Sequence, residues 1–107
     1  MTYRGNEFLF DGVKVKKLAK KFSTPIYCYS LKRIKKNIED FKNAFKKLNP
    51  IICYSVKANP NKILLREIGK LGLGADVVSL GELMKALKSG IKPKKIVFSG
   101  VGKSEDE

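Results

Sequence analysis

The sequence contains no histidine and no tryptophan, only two cysteines, and 10 acidic against 23 basic residues. Without histidine, neither a histidine-based catalytic triad nor a common zinc site can be built from these residues. We therefore expect no metal site. Cys28 and Cys53 each lie in an apolar run of strand length, which is typical of reduced, buried thiols rather than of a disulfide framework.

Long apolar runs are also absent. No stretch reaches the roughly 18 consecutive apolar residues that a membrane-spanning helix needs. The first ten residues, from Met1 to Phe10, have neither the basic segment nor the apolar segment of a secretory signal. The sequence therefore predicts a cytoplasmic protein with no membrane partner.

The formal net charge of +13 raises nucleic-acid binding as an alternative function from a different class. The basic residues are mostly lysines and are spread along the chain, and no arginine cluster or aromatic platform of the RNA-binding kind is present. We therefore expect no nucleic-acid partner, and a basic nucleic-acid-binding module is kept only as the competing hypothesis.

Apolar runs of strand length alternate with helical patterns along most of the chain. Strands are predicted over residues 26–29, 51–56, 75–78 and 96–98, each separated from the next by a segment whose apolar residues recur every three or four positions. A short extended segment over residues 7–10 and a short helix precede them. This alternation predicts βαβ units and a parallel sheet, either doubly wound or in an α/β barrel.

The last residues have the pattern of a helix beginning. Ser104 is a good N-cap, and the three acidic residues that follow it suit the first turn of a helix. A finished domain seldom stops at such a point, so we expect the chain to be the N-terminal part of a longer fold.

Lys57 is the first candidate for chemistry. It follows an almost wholly apolar predicted strand, and the carboxyl ends of strands carry the active groups in α/β folds. In a chain this rich in lysine, a strand-end lysine that reaches for solvent is the simpler interpretation. Position alone leaves the two interpretations open.

Three segments resemble one family in the same order. Tyr54 to Asn59 (YSVKAN) is similar to the cofactor-lysine motif of the pyridoxal-phosphate decarboxylases that have an alanine-racemase-like barrel, and the likeness continues through Gly74 to Leu83 (GADVVSLGEL). Ile96 to Lys103 (IVFSGVGK) resembles the diaminopimelate decarboxylase family in particular. Alanine racemases and the small cofactor-homeostasis barrels depart from these motifs and are distant alternatives.

The resemblance implies a fold and its boundaries. It implies an α/β fold, the N-terminal portion of a TIM-type (β/α)8 barrel of the alanine-racemase-like kind. Residues 1–24 would be an N-terminal extension with a short strand and helix, and residues 25–107 the first part of the barrel. A full barrel takes about 250 residues, so this chain cannot close one. A second, β-rich domain and a homodimer are also implied.

The resemblance also implies the chemistry. Pyridoxal 5'-phosphate would be the cofactor and Lys57 its catalytic, Schiff-base lysine, with Ala58, Asp76 and Glu82 as further cofactor-binding residues. Asp76 could instead be a strand-end carboxylate paired with a lysine, and Glu82 an ordinary glutamate of a helix N-terminus. The implied reaction of the full-length enzyme is decarboxylation of meso-2,6-diaminopimelate to L-lysine and CO2. An ornithine or arginine decarboxylase of the same group is the alternative, and the chain alone is expected to be inactive.

Overall fold

The computed structural model describes residues 1–106. The chain forms two compact units, one comprising Met1–Asn37 and the other beginning at Ile38. In the part of the chain described, no helix combines the length and the apolar character needed to cross a membrane.

The first unit contains a small antiparallel sheet and a helix. Its strands are β1 (Thr2–Arg4), β2 (Glu7–Phe10) and β3 (Val13–Lys14), and they pair in that order. The turn between β2 and β3 is Asp11-Gly12, where both residues have positive φ, as a tight hairpin requires. Helix α1 (Val15–Phe22) follows. The predicted extended segment and short helix are both confirmed, whereas β1 and β3 were not predicted.

The strand predicted over residues 26–29 is not formed. These residues belong to no strand, and the side chain of Tyr27 is 92 % exposed. β-branched and aromatic residues form a strand only where a neighbour satisfies their backbone groups, and no strand among residues 1–106 pairs with this segment.

Helix α2 (Leu31–Ala44) forms where the apolar pattern predicted it. Ser30 caps it, since its hydroxyl accepts the backbone N–H of Arg33 at 3.0 Å. The helix ends earlier than expected, and a 3-10 turn at Lys46–Leu48 follows it.

The second unit is built on a parallel sheet. Strands β4 (Cys53–Ser55), β5 (Gly74–Val77) and β6 (Ile96–Phe98) lie in chain order, connected by α3 (Lys62–Lys70) and α4 (Leu80–Lys88). After each helix a glycine with positive φ, Gly72 or Gly90, turns the chain toward the next strand. The predicted parallel sheet and its helices are confirmed. A short 3-10 turn, Pro93–Lys95, precedes β6.

The core lies on one face of this sheet. Ala75 and Val77 are fully buried there, together with Val56 and apolar residues of the two helices. The strand predicted over residues 51–56 is present but shorter. Only Cys53–Ser55 pairs, Ile51 is 66 % exposed, and the opposite face of the sheet carries the half-buried Asp76 and the exposed Val97.

The helix predicted from Ser104 is not present at residues 104–106, which have no helical structure. The rest of that prediction falls on Glu107, which lies outside the described residues.

Candidate functional site

Lys57 lies in a single 3-10 turn, Val56–Ala58, directly after β4. Val56 is 0 % exposed, and the turn packs against β5 and α4. Lys57 and Ala58 are exposed, and no hydrogen bond or ion pair engages the Lys57 amine within residues 1–106. The local sequence therefore buries one residue of the turn as an anchor and leaves the next one, the lysine, accessible for reaction.

The far end of the turn is held by a tyrosine. The phenol of Tyr54 donates a hydrogen bond to the carbonyl oxygen of Asn59 at 3.3 Å, which spans the turn. The side chain of Asn59 accepts the N–H of Asn61 at 3.0 Å, and that of Asn61 accepts the N–H of Ile63 at 2.9 Å and caps α3. The YSVKAN motif thus fixes the backbone on both sides of the lysine.

Asp76 lies on β5, next to the strand that leads to Lys57. In the parallel register it is the neighbour of Ser55 on one side and Val97 on the other. Two hydroxyls bind its carboxylate: Ser55 Oγ donates to Oδ2 at 3.4 Å, and Ser99 Oγ donates to Oδ1 at 2.5 Å. The chain thus holds a carboxylate between two serines on the face of the sheet opposite the core.

Glu82 forms a cap at the start of α4. Its carboxylate accepts the backbone N–H of Val78 at 2.9 Å, and its own N–H donates to the hydroxyl of Ser79 at 3.3 Å. This reciprocal arrangement is close to a capping box. The helix-terminus interpretation of Glu82 therefore accounts for one of its carboxylate oxygens, and the contact places the glutamate at the end of β5.

The third motif, residues 96–103, packs against the carboxyl end of β5. Ser99 donates its backbone N–H to the carbonyl oxygen of Val77 at 2.9 Å. Gly100 follows so closely that a Cβ there would lie 2.6 Å from the carbonyl oxygen of Val78. Lys103 folds back onto this turn and donates to the carbonyl oxygen of Gly100 at 3.1 Å. The three motifs therefore meet at the carboxyl edge of the sheet.

The pKa of the Cys53 thiol is raised in the fold. Burial raises the pKa of its thiol, the negative charge of Asp76 raises that pKa further, and Lys95 opposes them in part.

Within residues 1–106, no group of three or more metal-ligating side chains comes together.

Comparison with known proteins identifies the family. The profile described as pyridoxal-dependent decarboxylase, pyridoxal binding domain, matches residues 31–107. The chain belongs to this family. The predicted membership is confirmed, and the bound cofactor that the family implies is pyridoxal phosphate.

Relatives among the pyridoxal-dependent decarboxylases are close in sequence and in fold. The chain is 49 % identical over 107 residues to a diaminopimelate decarboxylase of Aquifex aeolicus, covering 100 % of this chain and 25 % of that protein. A crystal structure of the M. jannaschii diaminopimelate decarboxylase with L-lysine superposes with a TM-score of 0.91 at 41 % identity, covering 96 % of this chain and 25 % of that one. The Helicobacter pylori enzyme complexed with L-lysine gives a TM-score of 0.77 at 48 % identity, covering 84 % and 23 %.

These similarities confirm the predicted fold class, the N-terminal portion of an alanine-racemase-like α/β barrel. The chain spans about a quarter of the length of the curated relatives it matches.

The donor set at the carboxyl edge fits a pyridoxal cofactor. A lysine amine is the kind of group that bonds the aldehyde of such a cofactor, and Lys57 has an exposed amine at this edge. The carboxylate of Asp76 is one strand away, on the face of the sheet opposite the core. The two hydroxyls on Asp76 were missed by sequence reasoning. The period of two relates residues within one strand, but it does not give the register that brings Ser55 and Ser99 to Asp76.

Proposed function

We propose that the protein carrying this chain is a pyridoxal-phosphate-dependent diaminopimelate decarboxylase, which converts meso-2,6-diaminopimelate to L-lysine and CO2. The observation that carries the proposal is the presentation of the Lys57 amine at the carboxyl edge of the sheet. Buried Val56 and the Tyr54–Asn59 hydrogen bond hold the backbone of the turn that carries this amine, in a chain of the pyridoxal-dependent decarboxylase family.

Each residue has a part in this proposal. Lys57 holds the cofactor through its amine, and Ala58 lies beside it at the end of the same turn. Asp76 places a negative charge on the face where the cofactor would bind, and Glu82 fixes the end of β5 through Val78. When bound, pyridoxal phosphate supplies the electron sink that accommodates the charge left by loss of CO2.

The substrate is proposed from the relatives. The names of the similar proteins specify diaminopimelate decarboxylase, and two of the similar crystal structures contain L-lysine. A lysine decarboxylase of Selenomonas ruminantium has a TM-score of 0.75 at 27 % identity, so other basic amino acids of this size are the competing substrates. Contacts to the distal end of the substrate decide between them.

Two further parts of the proposal concern the assembled protein. A homodimer is proposed from the family resemblance. A cytoplasmic location is proposed because Cys28 and Cys53 are both free thiols, which suits a reducing compartment. The isolated 107-residue chain is proposed to be inactive, since a closed barrel needs about 250 residues.

Borohydride trapping in the full-length protein tests the assignment of Lys57. After incubation with pyridoxal phosphate and reduction, the modified peptide is identified by mass spectrometry. We expect the label on Lys57 and a loss of at least about 100-fold in decarboxylation for Lys57→Ala. The matched control is Lys62→Ala, which replaces an exposed lysine at the start of α3. This variant should keep both the label on Lys57 and the decarboxylation activity. A label that persists on another lysine in Lys57→Ala would contradict the assignment.

Release of CO2 tests the substrate. We expect meso-diaminopimelate to be decarboxylated at least about 100-fold more efficiently than ornithine, arginine or lysine. Preferential release from one of those three would retain the role of Lys57 and overturn the proposed substrate.

A further inference from the structure

The carboxylate of Asp76 has one strong and one weak hydroxyl donor. The bond from Ser99 is 2.5 Å long, within the range of about 2.5–2.7 Å typical of a hydroxyl bound to an ionised carboxylate. The bond from Ser55 is 3.4 Å long, which is beyond the usual range for such a bond. Ser99 is therefore the principal anchor of the Asp76 side chain.

The backbone that carries the Ser99 hydroxyl is itself fixed. Its N–H extends the ladder between β5 and β6 by one bond, to the carbonyl oxygen of Val77. At Gly100, a Cβ would lie 2.6 Å from the Val78 carbonyl oxygen and 2.7 Å from Cε1 of Phe98. Ser99 is thus held against the end of the strand that carries Asp76.

The position of Asp76 relates this anchor to the cofactor lysine. Asp76 is the register neighbour of Ser55, which lies two residues before Lys57, and the turn of Lys57 contacts β5. A negative charge held near a protonated nitrogen favours the protonated form of that nitrogen.

We propose that Ser99 is a positioning residue, whose hydroxyl holds the charge of Asp76 at the edge of the sheet where Lys57 bonds the cofactor. The inference rests on the proposed function and adds a residue to it. Ser99 acts through Asp76 and not by contact with the cofactor. Loss of its hydroxyl should therefore lower the pH at which the protonated lysine–cofactor nitrogen loses its proton.

A spectrophotometric titration of the full-length protein loaded with pyridoxal phosphate tests this. We compare Ser99→Thr, which keeps a hydroxyl, with Ser99→Val. Valine has nearly the shape of threonine but no hydroxyl. We expect Ser99→Thr to keep the wild-type pH midpoint of the visible cofactor band and Ser99→Val to lower it by about half a pH unit or more. Ser89→Ala, which removes a buried hydroxyl at the end of α4, is the matched control and should leave the midpoint unchanged.

A double-mutant cycle tests whether Ser99 acts through Asp76. Asp76→Asn should lower the midpoint as well, and adding Ser99→Val should then lower it no further. Equal midpoints for Ser99→Thr and Ser99→Val, or a Ser99→Val shift that persists beside Asp76→Asn, would overturn the role of Ser99 while the proposed function stands. A wild-type protein that develops no visible band with pyridoxal phosphate would overturn the proposed function and this inference together.

Discussion

Gly74 on β5 lies directly against the backbone of Lys95, and the sulfur of Cys53 lies on the same side. A Cβ at Gly74 would overlap the Lys95 carbonyl oxygen and lie 2.9 Å from Cys53 Sγ. The residue at position 74 therefore sets how closely the segment before β6 and the strand β4 approach β5. Since β4, β5 and β6 all run on to the carboxyl edge, a glycine at the opposite end of β5 helps to position that edge.

Gly74→Ala should destabilise the protein. The Cβ meets backbone that cannot rotate away, so we expect the free energy of unfolding to fall by about 3 kcal/mol. Urea unfolding followed by circular dichroism measures the change. The matched control is Gly81→Ala in α4, where the nearest atom to the new Cβ is Ser79 Oγ at 3.9 Å. Alanine should raise helix stability there by up to about 1 kcal/mol. Equal effects of the two substitutions would contradict the close packing at Gly74.

Asp76→Asn should lower the pKa of the Cys53 thiol. Burial is the largest cause of the raised pKa and the charge of Asp76 the second, so the neutral amide removes part of the shift and leaves the rest. The pH dependence of iodoacetamide alkylation, read by mass spectrometry on the peptide that contains Cys53, reports this pKa in a Cys28→Ser background. Asp40→Asn is the control for a general loss of charge and should leave the profile of Cys53 unchanged. An unaltered profile in Asp76→Asn would show that the charge of Asp76 does not contribute to the raised pKa.

The raised pKa of Cys53 also makes stability depend on pH. Because the fold favours the neutral thiol, this contribution is fully present below the thiol's ordinary pKa and is lost as the pH rises through the raised value. We expect Cys53→Ala to reduce the fall in unfolding free energy over that alkaline interval. Cys28→Ala should leave it unchanged, since Cys28 is exposed. The same slope in both variants would contradict the prediction.

Tyr54→Phe should loosen the turn that carries Lys57. The substitution keeps the ring and removes the hydroxyl that donates to the carbonyl oxygen of Asn59. We therefore expect a loss of about 1 kcal/mol in unfolding free energy. In the full-length protein we also expect slower bonding of the cofactor. The rate is measured from the growth of the visible absorption band after pyridoxal phosphate is added. Tyr27→Phe removes a phenol from a tyrosine that is 92 % exposed and serves as the control. Identical rates of cofactor bonding in Tyr54→Phe and Tyr27→Phe would show that the Tyr54 hydroxyl does not stabilise the turn.

The parallel unit could be predicted because each of its elements has a local signal. Asn61 and Ser79 cap α3 and α4, and both helices carry apolar residues at helical spacing, so capping and periodicity gave their positions. The segment 26–29 had an equally strong apolar signal but formed no strand, since a strand also depends on a pairing partner that is distant in sequence. The acidic run after Ser104 likewise resembles a helix start, yet residues 104–106 form none.

The site was predictable only in part. The motif around Lys57 predicted this lysine as a site residue, and the resemblance supplied Ala58, Asp76 and Glu82 as further candidates. Ser99 was not predicted as a site residue because its hydrogen bond to Asp76 joins residues 23 positions apart in sequence. That contact depends on the register of β5 and β6, which no local pattern of residues determines.

The turns at Gly72 and Gly90 lie between helix and strand, whereas Lys57 and Ser99 come after their strands. An insertion in a helix-to-strand turn would therefore lengthen a loop at the edge opposite Lys57, while the backbone ladder between β5 and β6 would keep Ser99 in register with Asp76.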